Sequence, residues 1–134
     1  MYRRKPNILV VDDVSDDRVM TRIILEKNNC DVVEASSFEE VLEELNRDYL
    51  DLIVLDIQMP DINCTEALDK IKLYNHNKRY GLGKEDVSVI LYTSSYVALA
   101  EQKKYESKGA TSIVMKDKHP TVLVDKIKEL LLIS

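Results

Sequence analysis

Five short runs of mostly apolar, β-branched residues alternate along this chain with segments of helical periodicity. The runs span Asn7–Asp12, Asp31–Ala35, Asp51–Leu55, Val87–Tyr92 and Ser112–Met115. Their length and their polar flanks mark them as strands rather than helices. A helix between two strands makes the connection a crossover, so the strands run parallel and the crossover is right-handed. Near-continuous apolar strands are covered on both faces. The pattern predicts a single doubly wound (βα)5 domain of the α/β class, with a five-stranded parallel sheet. Ligands of such a sheet sit at the carboxyl ends of the strands, where the strand order reverses.

The intervening segments carry helix signals. Ser15 is placed to cap the first helix, and Asp16 and Asp17 suit its positive N-terminal end. That helix is expected to turn Val19, Met20, Ile23 and Ile24 inward and to end near Asn28. Ser36 and Ser37 each precede a glutamate by three residues, which offers two possible capping boxes. Phe38, Val41, Leu42 and Leu45 follow as a helical stripe. A third helix from about Asn63 to Tyr74 aligns Ala67, Leu68, Ile71 and Tyr74. The fourth is expected to open at Ser94 or Ser95 and to stop at Gly109, after a cationic last turn. Pro120 suits the first turn of the fifth, with Leu123, Ile127, Leu130 and Leu131 facing in. Asn75–Asp86 lacks periodicity and reads as a loop.

Length and charge narrow the function. A chain of 134 residues makes one domain, residues 1–134 with a core at about 7–132, and buries roughly 68% of its unfolded surface. The net charge of -5 argues against direct nucleic-acid binding, which needs a basic stripe. No apolar run approaches the ~20 residues of a membrane span, and no signal peptide precedes the first strand. Cys30 and Cys64 form no CxxC and read as reduced thiols. A cytoplasmic domain without membrane contact is expected, with no output domain after the fifth helix.

Two of the apolar runs end in acid. ILVV leads into Asp12 and Asp13, and LIVL leads into Asp56. Thr93 ends the fourth strand and Lys116 the fifth. A parallel sheet puts all of these on one rim. At 4 Å, two unit charges repel by about 4 kcal/mol at an effective dielectric of 20, so clustered carboxylates call for a cation. A hard divalent ion with oxygen ligands removes that repulsion, and Mg2+ fits best because it also takes waters and phosphate oxygens. Cation, lysine and hydroxyl together hold a phosphoryl group and stabilise its loose transition state. One acid would then be the acceptor, forming an acyl phosphate.

With these residues the chain resembles the receiver domain of bacterial two-component response regulators, from Asn7 to about Leu132. The resemblance rests on the pair Asp12-Asp13, the D-x-x-M-P of Asp56 to Pro60, Thr93 and Lys116, each at the end of the matching strand. It implies the CheY-like, flavodoxin-like strand order 2-1-3-4-5. It also implies roles. Asp56 would be the phosphoacceptor. Asp13 and Asp56 would bind Mg2+ with the backbone carbonyl of Gln58, and Asp12 would act through a water. Thr93 would bond the phosphoryl group and move on its arrival, while Lys116 would pair first with Asp56 and then with a phosphoryl oxygen. The donor would be a phosphohistidine on a sensor histidine kinase or a histidine phosphotransfer protein, and the product would signal to a downstream protein. Such a domain promotes only its own phosphorylation and dephosphorylation. Two other readings stand beside it: a pseudo-receiver that binds partners without phosphorylation, and a metal-dependent phosphotransferase or hydrolase.

The chain departs from that family's pattern at several points. Asp117 follows Lys116 where proline is usual, and a trans bond is expected, since a non-proline cis bond costs about 2.5–4 kcal/mol. Ile113 occupies the position of the switch aromatic, for which Tyr96 or Tyr105 is a candidate substitute. The loop after Asp56 lacks the usual glycines, and the loop before the fourth strand, with Gly81 and Gly83, is longer. Asp16, Asp17 and Asp61 are read as helix-start and loop acids, and His76 and His119 as surface residues.

Overall fold

The computed structural model describes residues 5–47, 49–78 and 86–133. Strands and helices alternate as β1 (Asn7–Val11), α1 (Ser15–Lys27), β2 (Asp31–Ala35), α2 (Phe38–Asn46) and β3 (Leu52–Leu55). They continue as α3 (Cys64–Lys78), β4 (Ser88–Thr93), α4 (Leu99–Ser107), β5 (Ser112–Met115) and α5 (Thr121–Leu131). All pairings are parallel, in the order β2-β1-β3-β4-β5. Because strand side chains alternate between faces, the sheet builds two cores. Leu9, Val11, Ile53, Leu55, Val89 and Leu91 face one cluster, which α2 and α3 complete with Val41, Leu45, Ala67, Leu68 and Ile71. Ile8, Val10, Leu52, Val54, Ile90 and Val114 face the other, which α1 and α5 close with Leu25, Leu123, Val124 and Ile127.

Several local signals act as expected. Ser37 caps α2, its hydroxyl accepting from the Glu40 amide at 3.3 Å. The Glu40 carboxylate reaches back to Ser36 rather than to Ser37 itself, accepting from the Ser36 hydroxyl at 2.9 Å. Asn63 caps α3 by accepting from the amides of Thr65 and Glu66. Gly109, at φ 108°, occupies the left-handed region that ends the α4 segment. No helix among the described residues is long and apolar enough to cross a membrane.

Other signals were overridden. Ser15 is the first residue of α1 rather than its cap; Val14 holds the cap position and makes no side-chain bond there. The same helix buries Thr21 and Leu25, while Met20 and Ile23 are 59% and 38% exposed. It is rotated so that Arg18 and Arg22 both reach Glu34 on β2. Burial of Thr21 is tolerated because its hydroxyl donates to the Asp17 carbonyl at 2.9 Å. α3 runs on to Lys78, through residues expected to be loop. Its Asn75 side chain clamps Val87, accepting from that residue's amide at 2.9 Å and donating to its carbonyl at 3.1 Å. The rest of that loop, with Gly81 and Gly83, lies outside the described residues. α4 opens at Leu99, not at Ser94 or Ser95, and buries none of its residues.

Candidate functional site

The sheet ladder continues one residue past three of its strands. Asp12 donates its amide to the Ala35 carbonyl at 3.1 Å, Asp56 to Val11 at 3.0 Å and Lys116 to Thr93 at 2.7 Å. Backbone pairing thus carries Asp12, Asp56 and Lys116 onto one rim, and Asp13 follows Asp12 into the β1–α1 loop. Carboxylate oxygens of Asp12, Asp13 and Asp56 lie within 4.8 Å of one another. Asp12 and Asp56 are buried, and Asp13 is exposed. The donor set is entirely oxygen, the kind a hard divalent cation takes.

The Lys116 ammonium lies among the acids. It is 2.8 Å from Asp12 Oδ2, 3.4 Å from Asp56 Oδ2 and 3.7 Å from Asp17 Oδ2. It also stands 5.6 Å from the centroid of the Tyr92 ring. Burial works to lower the lysine's pKa, but the Asp12 hydrogen bond and the surrounding carboxylates outweigh it and raise the pKa above its ordinary value. The ammonium therefore stays charged. For Asp56, burial dominates and raises the pKa, although the Gln58 amide and Lys116 pull the other way. The resemblance implied that Lys116 pairs with Asp56; the structure brings it to both acids, with the shorter contact to Asp12.

Thr93 is fully buried at the same rim, yet its hydroxyl is engaged by its own loop. It accepts from the Ser95 amide at 3.1 Å and donates to the Ser95 carbonyl at 3.4 Å. Gln58 completes a clasp above it. The Gln58 amide donates to Asp56 Oδ1 at 2.9 Å. Its side-chain oxygen accepts from the Ser94 hydroxyl at 2.7 Å, and its side-chain nitrogen donates to the Ser95 hydroxyl. The loops after β3 and β4 are thereby joined across the rim.

Sequence reasoning missed four participants here. The sequence assigns Asp17 only to the helix start, but α1 begins at the rim, so its first turn reaches Lys116. The sequence points only to the Gln58 carbonyl, not to its side chain, and marks Ser94 and Ser95 as helix openers. Among the departures, the Lys116–Asp117 bond is trans, as expected, since no described peptide bond is cis. Ile113 and Tyr105 pack against the α2–α3 core, whereas Tyr96 is 82% exposed. His76 and His119 are exposed, as expected.

Comparison with known proteins shows the family and the fold. The model of the response regulator receiver domain matches residues 8–128. The chain is 31% identical over 127 residues to the CAI-1 autoinducer sensor kinase/phosphatase CqsS of Vibrio cholerae. That match takes in 93% of this chain but 17% of the kinase, so the chain spans only a small part of that relative. A CheY-like response regulator receiver domain protein from Methanospirillum hungatei superposes with a TM-score of 0.78 at 29% identity, covering 95% of this chain and 94% of that one. The Saccharomyces cerevisiae receiver domain of Ssk1, crystallised with the histidine phosphotransfer protein Ypd1, shares the fold with a TM-score of 0.82. It is 21% identical, and the match covers 96% of this chain and 90% of that one.

Proposed function

The chain belongs to the response regulator receiver domain family, and from that premise we propose that it is a phosphorelay domain whose Asp56 accepts a phosphoryl group. The observation that carries this is the meeting of Asp12, Asp13 and Asp56 with the Lys116 ammonium on one rim. An Asp56 carboxylate oxygen attacks phosphorus in a partner's phosphohistidine. The P–N bond breaks, the imidazole nitrogen leaves with the bonding pair and takes a proton, and an acyl phosphate remains. The yeast receiver crystallised with a histidine phosphotransfer protein supports a donor of that kind, as does the likeness to a segment of a sensor kinase.

Mg2+ fits the all-oxygen donor set. Asp13 and Asp56, with the Gln58 carbonyl and Asp12, would hold it. When bound, it neutralises charge on the phosphoryl oxygens. Lys116 contributes a second positive charge that is already in place. Thr93 must release Ser95 before its hydroxyl reaches a phosphoryl group on Asp56. The β4–α4 loop would then rearrange, and α4, which buries none of its residues, offers little resistance. The added charge and the moved loop bias a two-state equilibrium that a target protein reads.

The test is labelling by acetyl phosphate with and without Mg2+, followed by mass spectrometry. Wild type gains one phosphoryl group in a Mg2+-dependent way, and Asp56→Asn gains none. Labelling that survives that substitution removes Asp56 from the acceptor role. Ile113 at the position of the family's switch aromatic favours a second reading, a binding module that works without phosphorylation. An unlabelled wild type that still captures its partner would select it.

A further inference from the structure

Two arginines of α1 converge on one carboxylate of β2, and one of them continues to the acid pair. Arg18 Nε donates to Glu34 Oε1 at 2.8 Å, and Arg18 Nη1 donates to the Asp12 backbone carbonyl at 2.7 Å. Arg22 Nη1 donates to the other Glu34 oxygen, and Arg22 Nε lies 3.5 Å from Glu26. The pair is shielded from solvent: the Arg18 and Glu34 side chains are 17% and 22% exposed. Two arginines and two glutamates balance, so Arg18 brings a rigid fork of donors to the rim with little net positive field to repel a cation.

The Asp12 carbonyl and the Asp13 amide belong to one planar peptide. On the other side of the Asp12 α-carbon, the Asp12 amide of the preceding peptide is held by the Ala35 carbonyl at 3.1 Å. Arg18 therefore sets the plane from which the Asp13 side chain departs. Asp13 is the exposed member of the carboxylate trio and stands in the loop beyond the sheet ladder. Sheet pairing positions Asp12 and Asp56 but does not position Asp13.

We propose that Arg18, braced by Glu34, is a positioning residue for the cation site: it orients the Asp12–Asp13 peptide so that Asp13 stands with Asp12 and Asp56. This rests on the reading of that trio as a divalent-cation site. A charge-assisted bond to a carbonyl is among the stronger hydrogen bonds, and outer partners of metal ligands are worth about ten- to a hundredfold in affinity.

The test is calorimetric titration of the metal-free protein with Mg2+, alongside thermal melts and the amide NMR signal of Asp13. Arg18→Met keeps the aliphatic stem and removes every donor; its Mg2+ affinity falls about tenfold, and the Asp13 amide signal shifts before any metal is added. Arg18→Lys keeps one charge but cannot span both partners, and loses about threefold. A folded Arg18→Met with wild-type affinity overturns the proposal, even if its melting temperature drops, since that is the result of a purely structural role. If Arg18→Met does not fold, wild-type affinity in Arg18→Lys overturns it equally. A wild type that binds no Mg2+ overturns the cation-site reading and this inference together, whereas loss confined to the variants supports both.

Discussion

The Lys116 ammonium donates to Asp12 Oδ2 at 2.8 Å, linking residues 104 positions apart in the chain. The contact exists because β5 is the edge strand beyond β4, while β1 lies inside the sheet. The lysine side chain reaches across the rim to the acid, and its ammonium also lies 3.4 Å from Asp56 Oδ2. One cation thus serves two buried carboxylates in the resting site.

Removing that cation tests the arrangement. Lys116→Met leaves Asp12 and Asp56 buried without their counterion, and unpairing a buried charge costs on the order of 3 kcal/mol. Thermal melts in chelator should show the loss. Added Mg2+ should restore more stability to the variant than to wild type, because it relieves a larger repulsion. Equal Mg2+ stabilisation in the two would contradict the shared-cation arrangement.

Asp56 gives a pH signature. Burial raises its folded pKa, so the ionised form opposes folding above that pKa. Stability linked to its neutral form is present at low pH and is lost as pH rises through the raised value. In metal-free buffer at pH 7, Asp56→Asn should therefore be more stable than wild type. The gap should shrink as pH falls below the raised pKa. Denaturant titrations across the acid range would check the sign.

The Gln58 clasp opposes movement of Thr93. Gln58→Ala frees the Ser94 and Ser95 hydroxyls from two side-chain bonds, each worth about 1 kcal/mol net. The variant should convert to its beryllofluoride-bound form at a several-fold lower ligand concentration. NMR signals of Thr93 and Ser95 report that conversion. A midpoint unchanged from wild type would deny the clasp a role in holding the resting state.

Cys64 is buried, and burial pushes its thiol up to about 11. Cys30 is also buried, with its pKa raised chiefly by desolvation. Both should resist thiol–disulfide exchange in the native protein at pH 8 and react once it is denatured. Thiol counting with a chromogenic disulfide in both states measures this, and prompt reaction of either in the folded protein would contradict it.

Much of this site was legible before any coordinates. Asp12, Asp56, Thr93 and Lys116 each close an apolar run, and a parallel sheet has only one carboxyl edge on which to gather them. The element order followed from the same alternation. Other features were hidden because they depend on partners distant in sequence. Met20 and Ile23 belong to a helical stripe yet face outward, because Thr21 and Leu25 hold the buried face of α1 while Arg18 and Arg22 reach Glu34 on β2. Ser94 and Ser95 carry a capping signal, but Gln58 holds both hydroxyls across the rim and α4 starts later.

The order of residues alone dictated the strand runs, their parallel sense and the rim on which the acids, hydroxyl and lysine lie, because local periodicity and crossover geometry do not depend on distant contacts. Only the tertiary structure decided that Lys116 is nearer Asp12 than Asp56, that Thr93 rests on Ser95, and that Arg18 grips the peptide between the two acids. Those outcomes are hydrogen-bond choices among several partners within reach, and they are settled only when the packed elements set the distances.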